Sequence, residues 1–339
     1  MNPPPIPKRS PHTGLWVTLV ILGACLGLSL LINIGLFAGR SFQGLEFAEG
    51  GGADEFPQLK ERWSYGRGNV RAARISLKGL IFRQEEGGLF GPRIDKVRDI
   101  LNQIRAAAND ERVRAIVFEV DSPGGAITPS DEIYMALKAF KESSPDRVVV
   151  AFTRDMAASG GYYTAVAADW IIAEPTCIIG SIGVIMQTFN WKKLTDDIGI
   201  KDVTIKSGKN KDLLNPFQET SPIQLAILQE MIDDMHSRFK RIVQEHRNIP
   251  TEKLDELADG RIFSADTALD HNLINQIGYW DDVVQRTKEL LNEESVLFFS
   301  YYQETDLFSL LTQVRSPLDL DASTWYDLQT PKMLYLWSP

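Results

Sequence analysis

Cysteine is nearly absent, with two in 339 residues: Cys25 lies in an apolar run and Cys177 in a strand-like segment. This excludes a disulfide framework and a cysteine-based zinc site. Histidine is scarce as well, four in all, and no His/Asp/Glu cluster has ligand spacing, so neither a metal nor another cofactor is expected. Basic residues are outnumbered, 36 Lys and Arg against 45 Asp and Glu, for a formal net charge of −9. A chain so acidic lacks the surface that neutralises phosphates, and nucleic acid is not an expected partner. Internal repeats are missing too. What is plentiful is core material: 44% of the residues are hydrophobic and 24% charged, enough for one large domain or two small ones and too apolar for disorder over most of the length.

Long hydrophobic runs are limited to one, LWVTLVILGACLGLSLLINIGLFAG at residues 15–39. It carries no charge and is long enough to span a bilayer as a single helix. Lys8 and Arg9 precede it, whereas Glu46, Glu49, Asp54 and Glu55 follow. The positive-inside rule therefore leaves residues 1–14 cytoplasmic and the bulk of the chain outside a plasma membrane. A cleaved secretory signal is the competing reading, but the run exceeds a usual h-region and no small-x-small site follows it. Residues 40–69 read as a Gly- and acid-containing linker, residues 70–290 as the globular domain and residues 291–339 as an extension.

Within the globular part, strand, turn and helix alternate. ARISLKGLIF reads as a strand, residues 93–108 as an amphipathic helix, RAIVFEV at 114–120 as a buried strand, and a helix follows at about 129–141. Residues 170–185 supply further short strands and residues 201–217 one more strand with a basic loop. A long helix over 221–247 is capped by Ser221 and Pro222, with Leu225, Leu228, Ile232, Met235 and Phe239 on its expected buried stripe. The alternation predicts an α/β fold: a parallel sheet with helices packed outside, where ligands collect beyond the carboxyl ends of the strands.

The centre of this pattern is RVVVAFTRDMAASGGYYTAVAAD, residues 147–169. A β-branched strand runs into a small-residue turn carrying Ser159, and a helix starts there. Ala157, Ala158, Gly160 and Gly161 leave room for a substrate backbone to approach the hydroxyl. Taken alone, the same stretch also reads as a serine helix cap in a Gly-rich turn. A serine nucleophile needs a base. His12 lies on the cytoplasmic side, His236 and His246 sit among charges on the long helix as solvated surface residues, and His271 falls in a turn. Lysine is left, with Lys206, Lys209 and Lys211 in the basic loop as equal candidates. A lysine base working near neutral pH must be desolvated enough to fall from about 10.4 to roughly 7–8. A carboxylate beside it would oppose that fall, so Asp212 must point away.

Five ordered stretches, DSPGG at 121–125, ASGGYY at 158–163, GSIGVI at 180–185, SGKNKD at 207–212 and DGRIFSADTALDHNLINQIG at 259–278, together resemble the signal peptide peptidase A family. That family belongs to the Clp-protease and crotonase fold group, and the resemblance covers about residues 70–290. It implies a membrane-bound serine peptidase that degrades signal peptides left after secretion, with Ser159 matching the nucleophile and Lys211 the general base. Ser181 resembles the hydroxyl that orients the lysine, and backbone N–H groups near Gly124, Gly125 and Gly160 resemble the oxyanion donors. The position before the lysine, often Tyr in the family, is Asn210 here. Long members carry two repeats and pair Ser with Lys across them. This chain has one repeat, which implies a homo-oligomeric ring in which Ser159 meets Lys211 of a neighbour.

Apolar peptides are the expected substrates. Two other classes share these features: a crotonase-like acyl-thioester enzyme using the same oxyanion turns, and a non-catalytic membrane scaffold on the same fold. The tail beyond Ser300, with Phe308, Leu310, Leu311, Trp325, Tyr335 and Trp337, reads as an extension packed on the domain or a partner. A sharper reading puts it in the peptide cleft.

Overall fold

The computed structural model describes Trp16 and residues 18–30, 55, 57, 59–83, 85, 86, 94–302 and 333–336. Residues 18–30 form helix α1, whose side chains are exposed. Among the described residues no helix is long and apolar enough to cross a membrane, and the expected span over 15–39 lies partly outside them.

The chain then runs β1 (Lys60–Gly66), β2 (Val70–Lys78), β3 (Glu85–Glu86), β4 (Ile94–Asp95), α2 (Lys96–Asn109), β5 (Val113–Ser122), β6 (Gly124–Ala126) and α3 (Ile127–Glu142). Next come β7 (Val148–Ala158), α4 (Gly160–Ala165), β8 (Trp170–Ala173), β9 (Ile178–Gly180), β10 (Ile185–Met186) and α5 (Lys192–Asp197). The remainder is α6 (Pro222–Arg247), α7 (Thr251–Leu257), β11 (Ile262–Ser264), α8 (Ala265–Asp270), β12 (Gln276–Ile277), α9 (Trp280–Leu291), β13 (Val296–Tyr302) and β14 (Met333–Leu336).

One large sheet has the order β1-β13-β2-β5-β7-β8-β12, and β9 joins β7 further along the same strand, with β11 beside it. Strands β13, β2, β5, β7, β8 and β12 pair in parallel. A parallel sheet is covered on both faces, which is why its central strands read as unbroken apolar runs. Ala115, Ile116, Val117 and Phe118 of β5 are fully buried, as are Val149, Val150 and Ala151 of β7. On one face Ile100 and Ile104 of α2 and Leu137 and Phe140 of α3 pack with Ile116 and Phe118. On the other, Val283, Val284 and Leu291 of α9 pack with Val117, Val150, Phe152 and Phe298. The α/β expectation is met in this sheet. It also reaches past residues 70–290, because Lys60–Gly66 and Val296–Tyr302 pair antiparallel as its edge.

Two expectations are corrected. Residues 201–217 contain turns and bends and no strand, and Val203 and Ile205 are 83% and 97% exposed. Their β-branched character favours a strand, but a strand needs a neighbouring edge to bond to, and no described residue supplies one. Helix α6 is capped as expected: Ser221 accepts from the Gln224 N–H, and the Gln224 side chain accepts from the Ser221 N–H. Its stripe is not buried as expected. Only Phe239 of the five residues is in the core, joined by Ile242 and Val243, while Leu225 is 53% exposed. In the first half of α6, Ile223, Leu225 and Met231 are exposed, and Leu228 and Ile232 are only half-buried among the described residues.

Candidate active site

Strand β7 delivers Ser159 to the carboxyl end of the sheet, where parallel strands leave a crevice. The residue has φ 52° and ψ −117°, a sparsely populated conformation for a residue with a side chain, costing on the order of 1–3 kcal/mol. The surroundings fix it. Its N–H donates to the Gly180 carbonyl at 2.7 Å, and its carbonyl accepts from the Tyr163 N–H at 2.8 Å. Two buried tyrosines anchor the turn of α4 that follows: Tyr162 donates to the Leu273 carbonyl at 2.8 Å and Tyr163 to Asp131 at 2.5 Å. Burial raises the pKa of both phenols, and for Tyr163 the bond to Asp131 adds to the rise. Both therefore stay neutral donors. The Ser159 hydroxyl is itself buried, and no described group hydrogen-bonds to it, an unusual state for a buried polar atom.

The second Gly-rich turn lies against the first. Ser122 Oγ donates to the Gly79 carbonyl at 2.6 Å and accepts from the Gly124 N–H at 3.1 Å. A Cβ on Gly124, whose φ is +99°, would meet the Gly160 nitrogen at 2.6 Å and the Tyr335 carbonyl oxygen at 2.0 Å. One on Gly160 would meet Ser130 Oγ at 2.6 Å and the same Tyr335 oxygen at 3.1 Å. Glycine is thus required by close backbone approach at both positions. Gly125 pairs with Tyr335 on one side and with Ile81 on the other. Of the three glycines expected as oxyanion donors, Gly124 already gives its N–H to Ser122, a role for Ser122 that was not foreseen although the residue stands in the DSPGG motif.

Strand β14 completes the surface. It lies between β6 and β10, antiparallel to each, in the way an extended peptide adds to two sheet edges.

Ser181 follows the Gly180 that holds Ser159. It is buried, its φ is also 52°, and its N–H donates to the Arg261 carbonyl at 2.7 Å. Lys211 is elsewhere: it is exposed in a turn, its N–H donating to the Gly208 carbonyl at 3.1 Å. Asp212 is bonded by Lys206 Nζ at 2.5 and 2.7 Å, so the carboxylate that would hold a proton on a neighbouring amine is already paired. The segment does this by turning. Among the described residues this chain alone does not bring Lys211 to Ser159, nor does any described histidine bond that hydroxyl. His246 is half-buried, with Nε2 2.8 Å from the Tyr134 hydroxyl, which corrects its reading as a solvated residue. Cys177 is buried and its thiol pushed up to about 12 by desolvation, which leaves it unreactive.

A buried, strained and unbonded serine at the carboxyl end of a parallel strand, facing two interlocked glycine turns, has the form of a nucleophile site. The sequence pattern of Peptidase family S49 matches residues 141–294. A putative signal peptide peptidase SppA from Enterococcus faecium is 32% identical over 250 residues, 74% of this chain and 72% of that protein. A putative protease of Methanocaldococcus jannaschii is 30% identical over 72% of this chain and 78% of its own length. Protease 4 of Salmonella typhi is 30% identical over 60% of this chain, which spans only 32% of that longer protein. The chain belongs to peptidase family S49 and is a serine peptidase of the signal peptide peptidase A type.

Proposed function

We propose that the protein is a membrane-anchored endopeptidase that cleaves apolar peptides, remnant signal peptides among them, by attack of Ser159 with Lys211 as general base. The observation that carries the reading is the buried Ser159 hydroxyl, held at φ 52° without a hydrogen-bond partner beside Gly124, Gly125 and Gly160. Energy stored in that backbone is offset by the fold only where the residue's position matters. In the mechanism the lysine amine takes the hydroxyl proton as Oγ attacks the carbonyl carbon. The resulting oxyanion is met by backbone N–H groups of the glycine turns, and the same proton then passes to the leaving amine. Ser181, at the end of the strand adjoining Ser159, orients the amine.

The base comes from a second copy of the chain in a ring whose sites are shared. Three observations favour this. Lys211 is exposed and separate from Ser159 within one chain. Its segment has the composition of a strand, with Val203 and Ile205 bare. Phe189, Trp191, Leu194, Ile198, Ile223 and Leu225 nearby in sequence are exposed as well, more apolar surface than isolated exposed residues account for. A helix over 15–39 anchors the ring, N-terminus in the cytoplasm and catalytic domain outside the plasma membrane, on a Clp-protease/crotonase-like scaffold.

A serine-reactive fluorophosphonate tests the chemistry. It is expected to label Ser159 in the wild-type chain and not in Ser159→Ala, with peptide hydrolysis lost in parallel. Hydrolysis that survives Ser159→Ala would sink the reading, and an unlabelled, thioester-hydrolysing chain would favour the acyl-thioester alternative.

A further inference from the structure

Arg247 ends α6 as a buried cation, 9% exposed, and among the described residues no Asp or Glu pairs with it. Two of its donors are used within the fold: Nε bonds the Asn272 carbonyl and Nη1 the Asn275 Oδ1, each at 2.8 Å. Nη2 has no bond to a described residue and is not among the atoms sealed off from solvent. A guanidinium stays protonated even when buried, and a buried charge is costly unless something of opposite sign meets it. The carbonyl end of α6 offsets only part of it.

Arg247 also lines a cavity of about 390 Å³, within the size range that takes a small molecule. The other polar residues around it are His246, Asn248, Asn272 and Asn275, and none of them is acidic. Asn275 Oδ1 accepts from Arg247 and from the Ile171 N–H at 2.9 Å, which leaves its Nδ2 as a spare donor. A guanidinium edge of this kind grips carboxylate and phosphate oxygens with short, charge-assisted bonds.

We propose that this cavity binds a small oxyanion, a phosphate or a carboxylate, against Arg247 Nη2 with Asn275 Nδ2 as a second donor. Two sources carry that chemistry, inorganic phosphate and a small organic acid. Occupancy is felt at Ser159 through one loop. Residues 272–275 receive Arg247 at the Asn272 carbonyl and Tyr162 at the Leu273 carbonyl, both at 2.8 Å. Tyr162 lies in α4, the helix that Ser159 caps. An anion that fixes Arg247 therefore steadies the acceptor that holds α4 in place.

The test uses the full chain in a non-ionic detergent, at an ionic strength held constant with sodium chloride. Inorganic phosphate, succinate and the uncharged control succinamide are titrated in separate arms, and the melting temperature is followed. Phosphate, succinate or both are expected to raise it saturably by about 2 °C or more, and the arm that does so identifies the source. Succinamide is expected to leave it unchanged. In Arg247→Met the rise is expected to vanish. Leu269→Trp, which keeps Arg247 and fills the cavity that Leu269 lines, gives the same reading should Arg247→Met fail to fold. The phosphorus NMR resonance of phosphate, if phosphate is the ligand, broadens with wild-type protein and with neither variant. With the anion bound, the amides of Tyr163 and Val166, which bond within the turn after Ser159, are expected to exchange their hydrogens more slowly. No rise with either anion overturns the site, as does an equal rise in the variants, which is a general salt effect. Binding with unchanged exchange at Tyr163 and Val166 overturns the link to Ser159.

Discussion

The Ser159 N–H donates to the Gly180 carbonyl at 2.7 Å, which ties the proposed nucleophile to the residue just before Ser181. Ala158 of β7 and Gly180 of β9 are register partners in a parallel ladder, and the serine after each has φ 52°. Two adjacent strands thus end in the same strained step, side by side, and one hydrogen bond sets the spacing between the two hydroxyl-bearing residues.

Gly180→Ala tests that tie. Gly180 has φ +106°, and an added Cβ would meet the Phe263 ring at 2.7 Å. A side chain at such a φ costs roughly 1–2 kcal/mol, and Phe263 must also move. The melting temperature is expected to drop by several degrees, and turnover by about tenfold or more, since the carbonyl that holds Ser159 shifts with it. Normal turnover in a destabilised Gly180→Ala would separate the bond from the chemistry.

Gly124→Ala is expected to be worse for catalysis than for folding. The new methyl would occupy the 2.0 Å approach now made by the Tyr335 carbonyl, and hence the approach of any peptide bound in that register. Hydrolysis should fall by about a hundredfold or more, equivalent to roughly 2.7 kcal/mol, in a chain whose circular dichroism is unchanged. Retention of activity would mean that peptides do not pass over Gly124.

His246 supplies a pH prediction. Desolvation, then the nearby Lys141 and Lys138, lower its pKa below the ordinary 6.5, while Nε2 lies 2.8 Å from the Tyr134 hydroxyl. The unfolded chain therefore takes up this proton at higher pH than the folded one, and folding stability falls as pH drops through about 6.5. Above that value the contribution is fully present. The melting temperature lost between pH 7.5 and pH 5.5 should be smaller in His246→Gln than in wild type. An equal loss in both would assign the acid sensitivity elsewhere.

Ser221→Ala removes the capping box at the start of α6. The expected cost is about 1 kcal/mol in thermal or denaturant unfolding. Peptide turnover measured well below the melting temperature should change little, because the cap is far in sequence from Ser159 and bonds only to its own helix.

What the chain made legible is local chemistry. The apolar run from Val148 to Phe152, the small residues around Ser159 and the Ser221 cap each carry their own physical signature, and the strand, the turn and the helix start follow. What it concealed depends on partners distant in sequence. KERWSYG at 60–66 reads as linker because only pairing with Val296–Tyr302 makes it a strand. Met333–Leu336 has no period of its own and becomes a strand between β6 and β10. The errors run the other way where no described residue supplies a partner. Residues 201–217 and the first half of α6 have strand and amphipathic character, yet Ile205 and Leu225 stand bare. The same gap explains why Ser159 was found by its surroundings, while the choice among Lys206, Lys209 and Lys211 needed a likeness to other proteins.

Subunit complementation bears most directly on the central claim, that Ser159 of one chain works with Lys211 of another. Ser159→Ala and Lys211→Ala proteins, each inactive alone, are mixed under conditions where subunit exchange is verified, and peptide hydrolysis is followed. The account predicts that the mixture regains a substantial part of wild-type turnover, because some interfaces then join an intact serine to an intact lysine. A mixture that exchanges subunits and stays as inactive as its components would contradict it.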